Sequence, residues 1–173
     1  MTKAPTGQAQ IGLIGLGTMG AALSLNIADK GFPIAVWNRT TETTHAFVAG
    51  AGPLAKMLTP TDTLEALVRA IKPPRAIILM VPAGKAVDDQ IAALMPHLAP
   101  DDLIIDAGNA EFHDTDRRSA AAKTSGRYRF LGMGVSGGEE GARHGPSIMG
   151  GGEEADWARV KPVLEAISAK YRG

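Results

Sequence analysis

A glycine-rich hexapeptide near the N-terminus has the spacing of a dinucleotide-binding loop. It reads Gly15-Leu16-Gly17-Thr18-Met19-Gly20 and stands between a short apolar run and a segment with the apolar stripe of a helix. In such a loop the first glycine permits the tight turn, the second lets the backbone approach a pyrophosphate, and the third lets helix and strand pack closely. N–H groups at the helix N-terminus then attract the anion. An empty glycine turn is the alternative, but the strand before it and the helix after it favour a ligand loop.

The residues that end the second predicted strand indicate which dinucleotide is bound. NAD-binding folds place an acidic residue about 20 positions after the glycine motif, where it holds the ribose 2′-hydroxyl. Here that position is Asn38, followed by Arg39 and Thr40. Asn38 does not repel a 2′-phosphate, Arg39 can form a charge-assisted pair with it, and the Thr40 hydroxyl adds a donor. These residues predict NADP as the cofactor, unless Arg39 is only a solvated charge at a strand end.

Two further loops follow strands and offer groups for a second ligand. Asn109 comes after the predicted strand Leu103–Asp106, while Ser136, Gly137 and Gly138 follow the next strand. Because open α/β sheets bind ligands at the carboxyl ends of their strands, we expect these loops to face the same crevice as the glycine motif. Their side-chain and backbone donors suit a hydroxylated, anionic substrate such as a phosphorylated sugar acid. Asn109 could instead be only a turn residue in the left-handed conformation.

Strand and helix patterns alternate along the whole chain. The predicted strands are Ile11–Gly15, Ile34–Trp37, Ala76–Val81, Leu103–Asp106, Phe130–Val135 and Ser147–Met149. The predicted helices are Met19–Lys30, Glu42–Ala49, Asp62–Ile71, Val87–Leu98, Thr115–Thr124 and Asp156–Lys170. Asp62 and Glu65 have the spacing of a capping box, and Pro162 is expected to kink or divide the last helix. The alternation predicts an α/β fold with a Rossmann-type, doubly wound, mostly parallel sheet in a single domain over residues 1–173.

Composition and charge argue against several other classes of protein. The 18 basic and 18 acidic residues give a net charge of zero, which does not suit a nucleic-acid-binding protein. There are no cysteines, and the four histidines lack metal-ligand spacing, so no metal site is expected. No run of about 18 apolar residues occurs and Met1 to Gln10 are polar, so we predict neither a membrane span nor a secretory signal. A cytoplasmic location is the expectation.

At these motifs the chain resembles the 6-phosphogluconate dehydrogenase family, the decarboxylating enzymes of the pentose phosphate pathway. The matching segments are residues 15–20, 38–40, 104–109 and 134–142, with further matches at 83–89, 114–118 and 145–149. The resemblance implies NADP contacts from the first two segments and from Val81, Pro82 and Ala83, with Asn109 also near the cofactor. It implies substrate contacts from Asn109, Ser136, Gly137 and Gly138.

The chain departs from the family pattern at two motifs. The family usually has Lys at the position of Pro82, and Lys85 is the nearest charge that could substitute for it. The family's Met-Pro-Gly-Gly is replaced by Met149-Gly-Gly-Gly152, which we expect to alter only a loop.

The family's proton-transfer groups have no counterpart in this chain. In the family, a catalytic Lys and a general-acid Glu come from a long helical domain that follows this one, and no residue here matches their motif. Lys161 and Lys170 are expected to be solvated. The chain is therefore interpreted as the cofactor-binding part of the enzyme, with no catalytic residue of its own and little or no turnover by itself. Whether it is an excised domain or a natural short protein stays open.

The resemblance also implies a reaction and an assembly. The family oxidises C3 of 6-phosphogluconate with NADP and releases CO₂ to give ribulose 5-phosphate, in a dimer built largely through the helical domain. We then expect the present chain to be monomeric, or to associate weakly if Val163, Leu164 and Ile167 are exposed.

Two other functions stay open at this point. One is a β-hydroxyacid dehydrogenase domain of the 3-hydroxyisobutyrate type, which shares the glycine motif and the Asn-Arg-Thr run. The other is a dinucleotide-binding module without catalysis. The Glu139-Glu140 pair and Gly108-Asn109 favour the phosphogluconate interpretation, although the two glutamates could equally cap a turn or face solvent.

Overall fold

The computed structural model describes residues 7–171, which form a seven-stranded sheet covered by helices on both faces. The strands are β1 (Ile11–Ile14), β2 (Ile34–Trp37), β3 (Leu58–Pro60), β4 (Ala76–Leu79), β5 (Leu103–Asp106), β6 (Arg129–Ser136) and β7 (Ser147–Gly152). The helices are α1 (Thr18–Asp29), α2 (Thr41–Ala49), α3 (Leu64–Ala70), α4 (Lys85–Leu94), α5 (Phe112–Ser125), α6 (Gly138–His144) and α7 (Glu154–Ile167). Two 3₁₀ segments cover Gly52–Met57 and Met95–His97.

The strand order confirms the predicted Rossmann-type fold. The sheet runs β3-β2-β1-β4-β5-β6-β7, with β7 antiparallel to β6 and every other neighbouring pair parallel. After β1 the next strand, β2, is added on one side, whereas after β4 the next strand, β5, is added on the other side. The strand order therefore reverses between β1 and β4. In such sheets the carboxyl ends of the strands on either side of this reversal form a crevice for a ligand.

Buried apolar strands form the centre of the molecule. Every residue of β1, β4 and β5 is buried, as parallel strands covered on both faces require. Successive residues point to opposite faces, so Ile77 packs under α3 and α4 while Ile78 packs under α1 and α7. The two faces of the sheet thus hold two separate apolar clusters.

The sequence patterns did not predict strand β3 or helix α6. β3 has only three residues and ends in Pro60, so it produces no period-two pattern. α6 contains two glycines and has a low intrinsic helix propensity. Its first turn holds Glu139 and Glu140, both exposed to solvent, while Ala142 is fully buried. Tertiary packing against α1 therefore stabilises a helix that local propensity does not favour.

The start of α3 and the course of α7 differ from the prediction. Thr63, not Asp62, is the N-cap of α3, because its hydroxyl accepts a hydrogen bond from the Ala66 N–H at 3.0 Å. Asp62 instead lies 2.6 Å from the Nε2 atom of His45. Thr and Asp are both good caps, so the pattern alone cannot choose between neighbours. The expected division of the last helix is wrong, since α7 continues through Pro162.

The expected exposure of apolar residues near the C-terminus is also wrong. Val163, Leu164 and Ile167 are all at least 96% buried, because they form the face of α7 that packs on the sheet and α1. Lys161 and Lys170 are exposed, as expected. Within residues 7–171, no helix is long and apolar enough to cross a membrane. Residues 1–6 of the polar N-terminal stretch lie outside the described residues.

A buried asparagine joins three helices. Asn26 of α1 is 1% exposed, and its Nδ2 donates hydrogen bonds to the carbonyl oxygens of Ala142 and Ile167, both at 3.0 Å. These carbonyls lie in the last turns of α6 and α7, where helices leave acceptors without an internal partner. Asn26 therefore fixes α6 and α7 against α1.

Replacing Asn26 by Ala is expected to lower the free energy of unfolding by about 2 kcal/mol, because two buried carbonyls lose their donor. The measurement is urea unfolding followed by circular dichroism. Ser24→Ala is the matched control, since among residues 7–171 the Ser24 hydroxyl donates only to the Gly20 carbonyl of the same helix, at 2.8 Å. Ser24→Ala is expected to cost less, and an equal or larger loss there would contradict the assigned role of Asn26.

Candidate functional site

The glycine loop between β1 and α1 presents uncapped N–H groups to open space. Gly15 has a φ of +99° and donates a hydrogen bond to the Trp37 carbonyl at 3.0 Å. A Cβ on Gly20 would collide with the Gly15 carbonyl oxygen, so α1 packs directly on the loop. A Cβ on Gly17 would meet nothing within 4 Å, and Gly17 is the N-cap of α1 without a side-chain cap. The N-terminus of α1 is therefore available to an anion.

Asn38 connects the end of β2 to this loop. Its Oδ1 accepts a hydrogen bond from the Leu16 N–H at 3.0 Å, and its own N–H donates to the Thr44 hydroxyl at 3.0 Å. The next two residues, Arg39 and Thr40, are exposed. Within residues 7–171 neither of their side chains has a hydrogen-bond or ion-pair partner, and the hydroxyl of Thr40 does not cap α2. Asn38 thus positions the loop, while Arg39 is free to meet a ligand.

A cleft of about 490 Å³ runs beside these residues at the carboxyl edge of the sheet. The predicted cofactor residues that line it are Gly15, Gly17, Asn38, Arg39, Val81 and Pro82. Trp37 also lines it, as do Ala86, Asp89 and Gln90 of α4, and no sequence pattern indicated these four residues. Thr40, Ala83 and Asn109 do not line this cleft. The strand ends on both sides of the strand-order reversal therefore meet in one cavity.

The other side of the glycine loop faces α6. Leu16, Gly17 and Thr18 line a second groove of about 440 Å³, which also includes Glu139, Glu140 and Arg143. Met19 is half-buried and packs on the core, and Gly20 is buried in α1. Residues 15–20 therefore separate two openings, and Gly17 lines both of them.

The predicted substrate residues are less closely grouped. Asn109 adopts the left-handed conformation with a φ of +56°, and it lines a hollow of about 330 Å³ beside Thr115. Ser136, Gly137 and Gly138 are exposed where β6 leads into α6 and do not line this hollow. Within the described part of the chain, no hydrogen bond joins Asn109 to Ser136. The two segments share an edge of the sheet without forming one pocket.

A buried arginine holds the loops that follow β4 and β5. Arg118 of α5 is 2% exposed, and its guanidinium donates to both carboxylate oxygens of Asp88 at 2.8 and 3.2 Å. It also donates to the Asp106 carboxylate at 3.2 Å and to the Gly84 carbonyl at 3.0 Å. Asp106 in turn accepts from the Gly108 N–H at 3.1 Å. Residues 114–118 match the family pattern, but no local sequence pattern predicts this buried cluster.

Hydrogen bonding from Arg118 keeps Asp88 ionised. This bond, with a further one from Arg117, lowers the pKa of Asp88 from 3.8 to about 2, while partial burial opposes the shift. Asp88 therefore keeps its charge well below neutral pH. The loops after β4 and β5 stay tied together over the same range.

The geometry agrees with a family model. The model of the NAD binding domain of 6-phosphogluconate dehydrogenase matches residues 10–172. The chain belongs to this family. The decarboxylating 6-phosphogluconate dehydrogenase of Aggregatibacter actinomycetemcomitans is 52% identical over 160 residues, which are 92% of this chain and 33% of that relative. The present chain thus spans about a third of the length of this curated relative.

Solved structures show the same relationship. The 6-phosphogluconate dehydrogenase of Plasmodium falciparum, known in apo form and in complexes with NADP⁺ and with 6-phosphogluconate, superposes with a TM-score of 0.88 at 43% identity. The match covers 94% of this chain and 35% of that one. The 3-hydroxyisobutyrate dehydrogenase of Mycobacterium tuberculosis has a TM-score of 0.76 at 27% identity, covering 94% and 53%. The fold is shared with both, and sequence identity is higher with the phosphogluconate enzyme.

Asp88→Asn is expected to destabilise the chain at neutral pH, because it weakens the pairing of the buried Arg118. Since the pKa of Asp88 is lower in the folded chain, the stability it contributes is present above about pH 4 and is lost as the pH falls toward 2. The deficit of the variant should therefore shrink over that interval. Urea unfolding at several pH values measures this, with Asp116→Asn on the exposed side of α5 as control. A pH-independent deficit would contradict the role of the Asp88 charge.

Proposed function

We propose that this chain binds NADP and serves as the cofactor-binding part of a decarboxylating 6-phosphogluconate dehydrogenase. The observation that carries the proposal is the free guanidinium of Arg39 at the wall of the glycine-loop cleft. The preceding residue, Asn38, is neutral and occupies the position where an NAD-binding fold would have a carboxylate. A 2′-phosphate in this part of the cleft would gain a charge-assisted pair without repulsion from the strand end.

The uncapped N-terminus of α1 supports a place for the pyrophosphate in the same cleft. Gly17 leaves room for close approach, and the helix dipole favours a negative charge there. The nicotinamide supplies hydride acceptance when the cofactor is bound. The residues that line this cleft would hold and orient the dinucleotide.

The substrate we propose is 6-phosphogluconate. Support comes from the relatives, which are 6-phosphogluconate dehydrogenases. Further support comes from the carboxyl ends of β5 and β6, where Asn109 and Ser136 offer side-chain donors. Gly137 and Gly138 add backbone N–H groups, and a Cβ on Gly138 would meet nothing within 4 Å. A 3-hydroxyisobutyrate-type substrate is less well supported, because that relative is 27% identical and the phosphogluconate enzyme is 43% identical.

Arg39→Ala is expected to weaken NADP⁺ binding by about 10- to 100-fold, as lost hydrogen bonds to a charged group do, and NAD⁺ binding by less than about threefold. Isothermal titration calorimetry at one fixed ionic strength measures both. Arg69→Ala, which removes an exposed arginine outside the cleft, is the matched control and should change neither affinity. Equal losses for the two dinucleotides would remove Arg39 as the 2′-phosphate ligand.

The purified chain is expected to give no steady NADPH formation from NADP⁺ and 6-phosphogluconate. The reason is that no residue in it matches the motif of the family's catalytic Lys and general-acid Glu, which transfer the protons. NADPH absorbance measures turnover, and a calorimetric NADP⁺ titration of the same sample shows that the site is folded. The full-length relative from Aggregatibacter actinomycetemcomitans is the positive control. Sustained NADPH production by the chain alone would show that it contains the full catalytic set.

A further inference from the structure

The cofactor cleft contains a carboxylate that should repel its own ligand. Of the residues that line it, Arg39 and Asp89 carry charge, so the lining itself has no net charge. NADP carries several negative charges on its phosphates. A lone carboxylate on the cleft wall would oppose binding by Coulomb repulsion, and this repulsion would be greater for NADP than for NAD because of the additional phosphate.

A lysine next to the cleft cancels this charge. The ammonium of Lys85 lies 2.7 and 2.6 Å from the two carboxylate oxygens of Asp89, one turn further along α4. The side chains are 85% and 63% exposed, so the pair adds little to folding stability. Together with Arg39, the three charges give the cleft a net charge of +1.

The energetics of α4 do not account for this lysine. Lys85 is the first residue of the helix, where the dipole disfavours a cation. A Lys placed four residues before an acidic residue is also the less favourable orientation for a helical ion pair. A residue chosen for helix stability would not be a lysine at this position, whereas an anionic ligand in the adjacent cleft would be attracted by it.

We propose that Lys85 and Asp89 together set the charge of the cofactor cleft, and that Lys85 is a determinant of the preference for NADP over NAD. This inference rests on the proposed function, because it takes a phosphate-bearing dinucleotide as the ligand. Lys85 acts by cancelling the charge of the Asp89 carboxylate, so removing both side-chain charges leaves the net charge of the cleft unchanged. It complements Arg39, which faces the ligand directly.

Three variants test the proposal: Lys85→Gln, Asp89→Asn and the double variant. Calorimetric titration with NADP⁺ and NAD⁺ should show Lys85→Gln weakening NADP⁺ by about fivefold and NAD⁺ by about twofold, as expected for one unit charge at a solvent-exposed site. Asp89→Asn should tighten NADP⁺, and the double variant should return close to the parent affinity. The Lys85→Gln effect should shrink at high salt.

Lys161→Gln is the matched control, because Lys161 belongs to an exposed i,i+4 pair with Glu165 on α7 at 3.6 Å, outside the cleft. It changes the net charge equally, so an equal loss of NADP⁺ affinity in this variant would overturn the proposal. An unchanged NADP⁺ affinity in Lys85→Gln would overturn it as well. Neither of these two results would affect the proposed function, provided that the parent chain binds NADP⁺ and that Arg39→Ala removes its preference for NADP⁺ over NAD⁺. A parent chain that binds neither dinucleotide would overturn both.

Discussion

The buried guanidinium of Arg118 is the interaction on which the geometry of the ligand-binding edge depends. Removing a guanidinium from water costs several kcal/mol unless its donors are satisfied, so the surrounding acceptors must be held in place. Here they come from the loop after β4, from α4 and from the end of β5. Since each contributes an acceptor to the same side chain, a shift of any one of them leaves an N–H donor of the buried guanidinium without its partner. The segment after β4, which borders the cleft, and the loop of Asn109 are thereby held as one unit.

The orientation of α1 depends on contacts at both of its ends. At the N-terminus, Gly20 lies so close to the Gly15 carbonyl that no side chain fits between them. Near the C-terminus, the Asn26 amide bonds to the last turns of α6 and α7. These contacts direct the N-terminal end of the α1 dipole and its free N–H groups toward the cleft. The same helix positions α6, which bears Glu139 and Glu140. The two openings beside the glycine loop share this support.

Local patterns predicted most of the fold and several of the residues that line the cleft beside the glycine loop. The strands are runs of buried apolar residues, and the glycine spacing has steric reasons that the structure confirms at Gly15 and Gly20. The parts that could not be predicted depend on contacts between distant segments. α6 has weak intrinsic propensity and is stabilised by packing on α1. Arg118 stands in a polar stretch of α5, and its burial follows only from acceptors 12 and 30 residues away. Asp89 and Gln90 line the cleft because α4 lies beside the end of β2. The periodicity of the sequence predicts a helix here but not its position relative to β2.

The two predicted ligand sites differ in how much of the binding surface this chain provides. The cofactor side is a cavity with converging strand ends, a helix N-terminus and a free arginine. On the substrate side, Asn109, Ser136, Gly137 and Gly138 are exposed and do not enclose a common volume. A hydrogen bond from an exposed group to a hydrated sugar acid replaces one with water and contributes little net free energy. A polar substrate that touches these residues alone stays largely hydrated, so tight binding requires additional surface that covers it. The cleft proposed for the dinucleotide does not have this requirement, because residues of this chain alone line it. Cofactor binding is therefore the part of the function that the fold by itself supports.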